Sequence, residues 1–205
     1  MVKRLFKIVS VSLAILLTLS VVSALQDGHT LEEGLIRLHV KANSDTPEDQ
    51  SLKMQVKDAV TEKLSAALEN VVDVEQAESW LRENLGTIQT WAQDALERLG
   101  STQQATVTLE KEAFPTRKYD TFSLPAGIYQ ALRITLGEGE GQNWWCVVFP
   151  SLCQSVTTAD FQEAAQAAGF SERVTDTVTE NGAAYEVRFW LLDFLGKVKN
   201  ALRGS

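Results

Sequence analysis

The chain has 205 residues, enough for one domain with a hydrophobic core, alone or with an appendage. With 44% hydrophobic and 22% charged residues it falls in the globular class, and two cysteines and two histidines exclude a cysteine-rich scaffold and a multi-histidine metal site. The net charge of −8 argues against nucleic-acid binding and peripheral membrane binding, because an acidic chain repels phosphate backbones and anionic lipid headgroups.

The first 24 residues have the layout of a secretory signal peptide. Lys3, Arg4 and Lys7 form a basic start, and an apolar run over residues 8–22 ends in small residues at Ala24. The run is shorter than the roughly 20 residues of a membrane-spanning helix. We therefore expect cleavage after Ala24, with an uncleaved N-terminal anchor as the alternative. Removing the segment takes away three positive charges and leaves −11, and both outcomes place the rest of the chain outside the cytoplasm in which it was made.

The next part of the chain reads as a short strand followed by a helix. Residues 35–40 form the predicted strand. Thr46 is suited to the N-cap of the helix and Pro47 to its first position. Asp49, three residues after Thr46, completes a capping box. Apolar residues at spacings of three and four then follow one helix face to about Leu68.

A second helical region is predicted between Asp73, as its cap, and Gly100, as its stop. Six apolar positions recur at alternating spacings of four and three, which indicates a stripe facing the core and is too short to indicate a coiled coil. Gly86 is expected to break or kink this region.

From Thr102 the apolar pattern has a period of two, which predicts strands. The predicted strands are residues 105–110, 128–136 and 144–149. The glycine-rich residues 137–141 lie between the last two, and we expect those two strands to pair as a hairpin.

Beyond Cys153 the pattern is less regular. Residues 160–168 predict a short helix and residues 174–178 a strand. Residues 184–192 fit a strand or a helix, and residues 193–203 fit a helix. The whole order predicts an α+β fold, a mainly antiparallel sheet with the N-terminal helices packed on it in a single mature domain. We divide this domain into a core, residues 25–153, and a C-terminal extension, residues 154–205, packed on the core.

The strand at residues 144–149 is apolar on both faces. One interpretation is a central strand covered on both sides, with Phe189, Trp190 and Phe194 of the C-terminal segment as part of the cover. The other is that one face docks a partner, since tryptophan is enriched at interface hot spots.

The two cysteines, Cys146 and Cys153, are seven residues apart. A fully extended chain would separate them by about 23 Å, whereas a disulfide needs Cα atoms within about 7 Å. Pro150 and Ser151 offer a turn that would bring them together, and export permits oxidation. The sequence is compatible both with a disulfide between them and with two buried thiols.

Residue types of a cysteine hydrolase are present in Cys146, His39 and Asn143. Cys146 lies inside a strand pattern with no helix N-terminus behind it, so a structural role is favoured and a cell-envelope hydrolase is kept as an alternative. A zinc site from His39, Cys146 and Cys153 is a weaker interpretation. The two glutamates of residues 137–141 lie at an exposed tip, where nothing would raise a carboxyl pKa for acid–base work.

Four stretches of the chain resemble the stage II sporulation protein R family. They occur in the family's order after a signal-like N-terminus. The stretches are IRLHV (36–40) followed by ANSD (42–45), FPTRKY (114–119), LPAGIYQALR (124–133) and GQNWWCVVFPSLC (141–153).

This resemblance implies an exported signalling protein of endospore formation. Such a protein is secreted from the forespore into the space between the two surrounding membranes, with anchoring at the N-terminus as the alternative. There it is required to activate a membrane-embedded aspartic protease of the mother cell, which then processes pro-sigma-E. The resemblance implies no enzyme activity, no catalytic residue, no cofactor and no metal. It implies a protein partner, with no nucleic acid and no small-molecule substrate.

Six polar or aromatic residues are candidates for contacting that partner. Each also has a structural interpretation: fixing a loop for the first two, pairing with an acid across the sheet for Arg133, and capping the hairpin for Asn143. A structural envelope protein without a signalling role is the remaining alternative. The candidates are Arg117, Tyr119, Tyr129, Arg133, Asn143 and Trp145.

Overall fold

A four-stranded mixed sheet with helices on both faces organises the molecule, as seen in a computed structural model that describes residues 2–153, 158–179 and 183–203. Two of the three strand pairs are antiparallel, so the predicted α+β fold with a mainly antiparallel sheet is confirmed. The helices are α1 (Val2–Gly34), α2 (Pro47–Ala67), α3 (Val74–Glu83), α4 (Leu85–Arg98), α5 (Thr158–Ala167), α6 (Glu172–Val178) and α7 (Ala183–Arg203). The strands are β1 (Ile36–Lys41), β2 (Ala105–Phe114), β3 (Arg117–Lys118), β4 (Ser123–Leu124), β5 (Gly127–Leu136) and β6 (Asn143–Phe149).

The predicted hairpin between β5 and β6 is wrong. The strand order is β2-β5-β1-β6, so β1 lies between them, parallel to β5 and antiparallel to β6. The turn that follows β5 bonds to the segment after β1: the Gly141 amide donates to the Ala42 carbonyl at 2.9 Å, and the Glu140 amide to the Asn43 carbonyl at 3.0 Å. β6 is therefore an edge strand, and its interpretation as a central strand is also wrong.

The main hydrophobic core lies between one sheet face and helices α2, α3 and α4. Alternate residues of β1 and β5 point into it, as the period of two requires. Each fully buried Leu, Ile or Val contributes roughly 1.5–3 kcal/mol. The core includes Leu38 and Val40 of β1, Leu132 and Ile134 of β5, Val56 and Val60 of α2, and Ile88 and Ala92 of α4.

The start of α2 is held as the sequence predicts. Thr46 is the N-cap and its hydroxyl accepts from the Asp49 amide at 3.3 Å. The Asp49 carboxylate accepts from Ser44 at 2.6 Å, Asn43 at 2.8 Å and Gln103 at 2.6 Å. The hydrogen bonds from Ser44 and Asn43, with that from Gln103, lower the pKa of this carboxyl despite its burial. Asp49 thus ties α2 to the loops on both sides of it.

The second helical region consists of two helices that meet at Asn84, two residues before Gly86. Asp73 caps the first of them and accepts from the Gln76 amide at 2.7 Å. The sequence prediction of a capped region with a break near Gly86 is confirmed.

One C-terminal segment is helical where a strand was expected. Residues 174–178 belong to α6, which Ser171 caps by accepting from the Val174 amide at 3.4 Å. The β-branched Thr175 and Thr177 that suggest a strand donate their hydroxyls to carbonyls four residues back, which makes them compatible with a helix. Residues 184–192 belong to α7, so the helical alternative is correct for them.

A second core covers part of the opposite sheet face. The last third of α1 and the helices α5–α7 pack over aromatic side chains of β2 and β5. Arg173 of α6 bonds to the buried Asp27 of α1 at 2.5 Å, and Lys199 of α7 pairs with Glu32. Residues 24–34 are therefore an integral part of the folded domain. Residues of this core include Leu31, Phe114, Phe122, Tyr129, Val147, Phe161, Val174 and Leu192.

The first two thirds of α1 stand free of the domain. The helix is long and apolar enough to cross a membrane, and only 6% of its most apolar window is buried. A signal sequence has the same properties. The N-terminal helix is thus compatible with both predicted roles, a signal peptide and an anchor.

Candidate partner-binding site

On the sheet face that carries the second core, one end is only partly covered by helices, and its side chains are polar. Strand register sets its composition: His39 of β1 lies opposite Arg133 of β5 and Trp145 of β6. Thr108 of the neighbouring β2 lies opposite Arg133. Arg133 and Trp145 are half-buried, and Asn143 at the start of β6 is exposed. Three of the predicted contact residues therefore share this surface.

His39 lies at the middle of the surface and is only 3% exposed. Its Nδ1 is 2.8 Å from the Glu112 carboxylate, and its Nε2 is 2.8 Å from the Asn143 side-chain oxygen. A doubly protonated ring would donate to both oxygens. A neutral ring would donate from Nδ1 to Glu112 and accept at Nε2 from the Asn143 side-chain NH2 group, with that amide turned over. Both ring nitrogens are occupied by protein groups, so His39 positions the residues around it.

Trp145 connects this histidine to the rest of the surface. Its indole stacks on the His39 ring with centroids 3.8 Å apart, and meets Phe114 edge-to-face at 4.7 Å. The Arg117 guanidinium lies 5.3 Å from the same indole, within cation–π range. Arg133 forms an ion pair with Glu110 across the sheet, which fulfils its structural interpretation without burying the guanidinium.

Tyr119 lies in the turn that borders Trp145, whereas Tyr129 lies away from the open surface. The Tyr119 hydroxyl accepts from the buried Arg37 at 2.6 Å, and its ring stacks on Phe122 at 4.5 Å. Tyr129 is completely buried, and its hydroxyl donates to the Pro125 carbonyl at 2.9 Å. Burial raises the pKa of the Tyr129 phenol above its usual range. Tyr129 is therefore a core residue, and its proposal as a direct contact is corrected.

Sequence reasoning missed two residues of this region. Glu112 holds His39, and the fully buried Arg37 lies over the rings of Phe114 at 4.2 Å and Tyr129 at 5.0 Å. The alternation of β1 contained the signal, because a period of two places Arg37 and His39 on the same face, apart from the apolar residues between them.

The cysteines do not contribute to this surface. Cys146 and Cys153 form a disulfide with Cα atoms 5.4 Å apart. Cys146 lies opposite Leu38 in the register, on the sheet face that His39 does not share. This overturns the cysteine-hydrolase geometry, because the sulfur and the imidazole lie on opposite sides of the sheet. The zinc interpretation fails for the same reason, and no cluster of three or more metal-type ligands occurs within the described ranges.

Comparison with known proteins places these residues in a recognised sequence region. The family model of stage II sporulation protein R matches residues 32–159, which include every candidate residue. The stage II sporulation protein R of Bacillus subtilis (strain 168) is 34% identical over 179 residues, covering 78% of this chain and 79% of that relative. No solved structure matches.

Proposed function

The chain belongs to the stage II sporulation protein R family, and on that premise we propose that it is an exported signal of endospore formation that activates a membrane-embedded aspartic protease of the mother cell. The protease then removes the pro-sequence of pro-sigma-E. The observation that carries the proposal is the family match over residues 32–159 together with the 34% identity to a relative of the same name.

The N-terminal helix supports the export step. Its first two thirds are apolar, begin with basic residues and stand free of the folded domain. Export from the forespore, with or without later cleavage, puts the domain between the two membranes, where a receptor of the mother cell presents its outer surface.

The chemistry of the open surface supports binding rather than catalysis. His39 is held on both nitrogens, and the cysteine expected to be a nucleophile is in a disulfide on the other sheet face. What remains accessible is a half-buried tryptophan with arginine and asparagine around it. Tryptophan and arginine are enriched among the residues that dominate binding energy at interfaces.

Activation requires differential binding. A ligand shifts its receptor toward the active state only by as much as it binds that state more tightly. Moving a receptor from 1% to 99% active takes a preference of about 10⁴-fold, or about 5.5 kcal/mol. Bringing two receptor chains together would supply such a preference, because an aspartic protease works with paired aspartates. A receptor that is dimeric and equally active without this protein would contradict that route.

Reconstitution in a non-sporulating host tests the proposal. The full chain, exported, is co-produced with the receptor protease and its pro-sigma substrate, and cleavage of the substrate is followed with and without this chain. Cleavage only in its presence is the expected result. Absence of cleavage with all three proteins folded and correctly located would overturn the proposal and favour a structural envelope protein.

A further inference from the structure

The two edge strands of the sheet, β2 and β6, differ in how far the rest of the chain covers them. β2 carries Glu110, Lys111 and Glu112, and charged side chains protect a sheet edge against pairing with another chain. Side chains from α4 and α7 also bond to backbone groups along its length. These bonds join Gln93 to the Ala105 amide at 2.9 Å, Gln89 to the Val107 amide at 3.4 Å, Arg203 to the Lys111 carbonyl at 3.2 Å and Asn200 to the Phe114 carbonyl at 2.9 Å.

β6, at the opposite edge, has no charged residue. The Val147 carbonyl accepts from the Leu152 amide at 3.3 Å, in the loop that follows the strand, so it points away from β1. Backbone groups of alternate residues point to the same side of a strand, and Trp145 and Asn143 therefore also turn theirs outward. Within residues 2–153, 158–179 and 183–203, these outward groups have no hydrogen-bond partner.

A trench of about 270 Å³ runs beside this open part of β6. One wall is the turn between β3 and β4, residues 118–122, and the other walls are Trp144, Trp145 and the disulfide. The buried Nε1 atoms of both tryptophans lack a hydrogen-bond partner in the described part of the chain. The trench offers apolar surface next to an unpaired backbone.

The rim of the trench carries one guanidinium that, within the described ranges, has no carboxylate partner. Arg117 lies over the Trp145 indole, and among the described residues no carboxylate pairs with it. Lys118 and Asp120 also border the trench and carry opposite charges. An incoming segment with an acidic residue would complement this rim.

We propose that β6 at residues 143–146 binds an extended, neutral-to-acidic segment of the receptor, which adds to the sheet as a fifth strand and places an apolar side chain in the trench. The inference rests on the proposed function for the identity of the partner. Strand addition uses backbone hydrogen bonds for affinity and a side-chain pocket for specificity, and this edge presents both. A second copy of the chain fits less well, because its β6 carries no acidic residue that could pair with Arg117.

Hydrogen exchange on the full chain in detergent, with and without the purified receptor protease, tests this inference. We expect amide exchange at Asn143 and Trp145 to slow by about tenfold or more when the receptor is added, with no change along β2. Thr121→Trp, which fills the trench, should abolish both this protection and activation of the protease. Thr106→Trp places the same side chain on the capped edge and should leave both intact.

The outcomes separate the inference from the function. Activation by the wild-type chain without protection of β6, or with Thr121→Trp fully active, would overturn the strand-addition site and leave the signalling role standing. Failure of the wild-type chain to activate the protease would overturn the signalling role itself. Protection of β6 that grows with protein concentration in the absence of receptor would assign the edge to a second copy and overturn the proposal.

Discussion

The imidazole of His39 lies nearly flat on the indole of Trp145, with ring centroids 3.8 Å apart and planes 16° from parallel. The two residues are directly opposite each other on β1 and β6. Because Trp145 also contacts buried Phe114 and partly exposed Arg117, this pair connects the second core to the open surface. Changes at Trp145 are therefore expected to affect stability and recognition together.

Trp145→Ala should lower the free energy of unfolding by about 2–3 kcal/mol, somewhat less than truncation of a fully buried aromatic residue, because the indole is half-buried. It should also reduce activation of the protease when assayed with fully folded protein. Urea denaturation and the co-production assay measure the two effects. Trp190→Ala is the control: Trp190 is 64% exposed on α7, and a stability loss as large as that of Trp145→Ala would contradict this account.

Tyr129→Phe should lower the free energy of unfolding by about 1–2 kcal/mol, since it removes the hydrogen bond to the Pro125 carbonyl and leaves that carbonyl unpaired. Activation by the folded variant should be unchanged because the side chain is completely buried. Tyr119→Phe removes the hydroxyl that accepts from buried Arg37, and bonds to charged groups contribute about 1.5–3 kcal/mol. We therefore expect Tyr119→Phe to lower the free energy of unfolding more than Tyr129→Phe does. The reverse order would contradict this account.

Asp49→Asn should lower the stability of the fold by an amount that depends on pH. Hydrogen bonds from Ser44 and Asn43 hold the pKa of the Asp49 carboxyl below its ordinary value in the folded chain. A lowered folded pKa means that the carboxylate stabilises the fold above its unfolded pKa of about 3.8, and that this stabilisation is lost as the pH falls through the folded value. Urea denaturation should show the largest gap between wild type and Asp49→Asn above about pH 5, narrowing toward pH 3. A gap that widens with acid would refute the assignment.

Local patterns predicted much of this fold because caps and apolar spacing act over a few residues. The Thr46 and Asp73 caps are examples, and the break near Gly86 is another. Strand partners depend on contacts distant in sequence, and the insertion of β1 between β5 and β6 follows from none of those patterns. The helical state of residues 174–178 is also non-local in origin, since α6 is held by contacts to α1 and α7.

In the candidate site, too, local patterns predict some features and contacts distant in sequence determine others. Alternation along β5 correctly places Tyr129 and Arg133 on one face, but it carries no information on how far the helical cover extends. α1 and α7 pack over the Tyr129 end of the strand, and Arg133, four residues on, remains half-exposed. The pairing of His39 with Glu112 joins residues 73 positions apart, and no local pattern indicates it.

Replacing both Cys146 and Cys153 by serine should lower the free energy of unfolding by about 2–3 kcal/mol, the entropic contribution of a short closed loop. Activation by the folded variant should be reduced but not abolished, because the disulfide forms only part of the trench wall and the unpaired edge of β6 remains. Thermal unfolding with and without reductant supplies the control: the reductant should destabilise wild type and leave the variant unchanged. Loss of activation at full folding would revive a direct role for the sulfur atoms.

Gly196→Ala should destabilise the chain although alanine favours helices by about 1 kcal/mol over glycine. Gly196 lies in α7 directly on the loop before β5, and a Cβ built there would come within 1.6 Å of the Ala126 carbonyl oxygen. Since that oxygen belongs to the backbone, α7 would have to move away from the sheet and loosen its contacts with α1. Limited proteolysis should then cut the C-terminal helices sooner than in wild type. Gly86→Ala in α4 is the matched control, because nothing lies within 4 Å of its Cβ position and the same change should be neutral or stabilising there. Equal protease resistance of Gly196→Ala and wild type would mean that α7 is not held against the sheet as described.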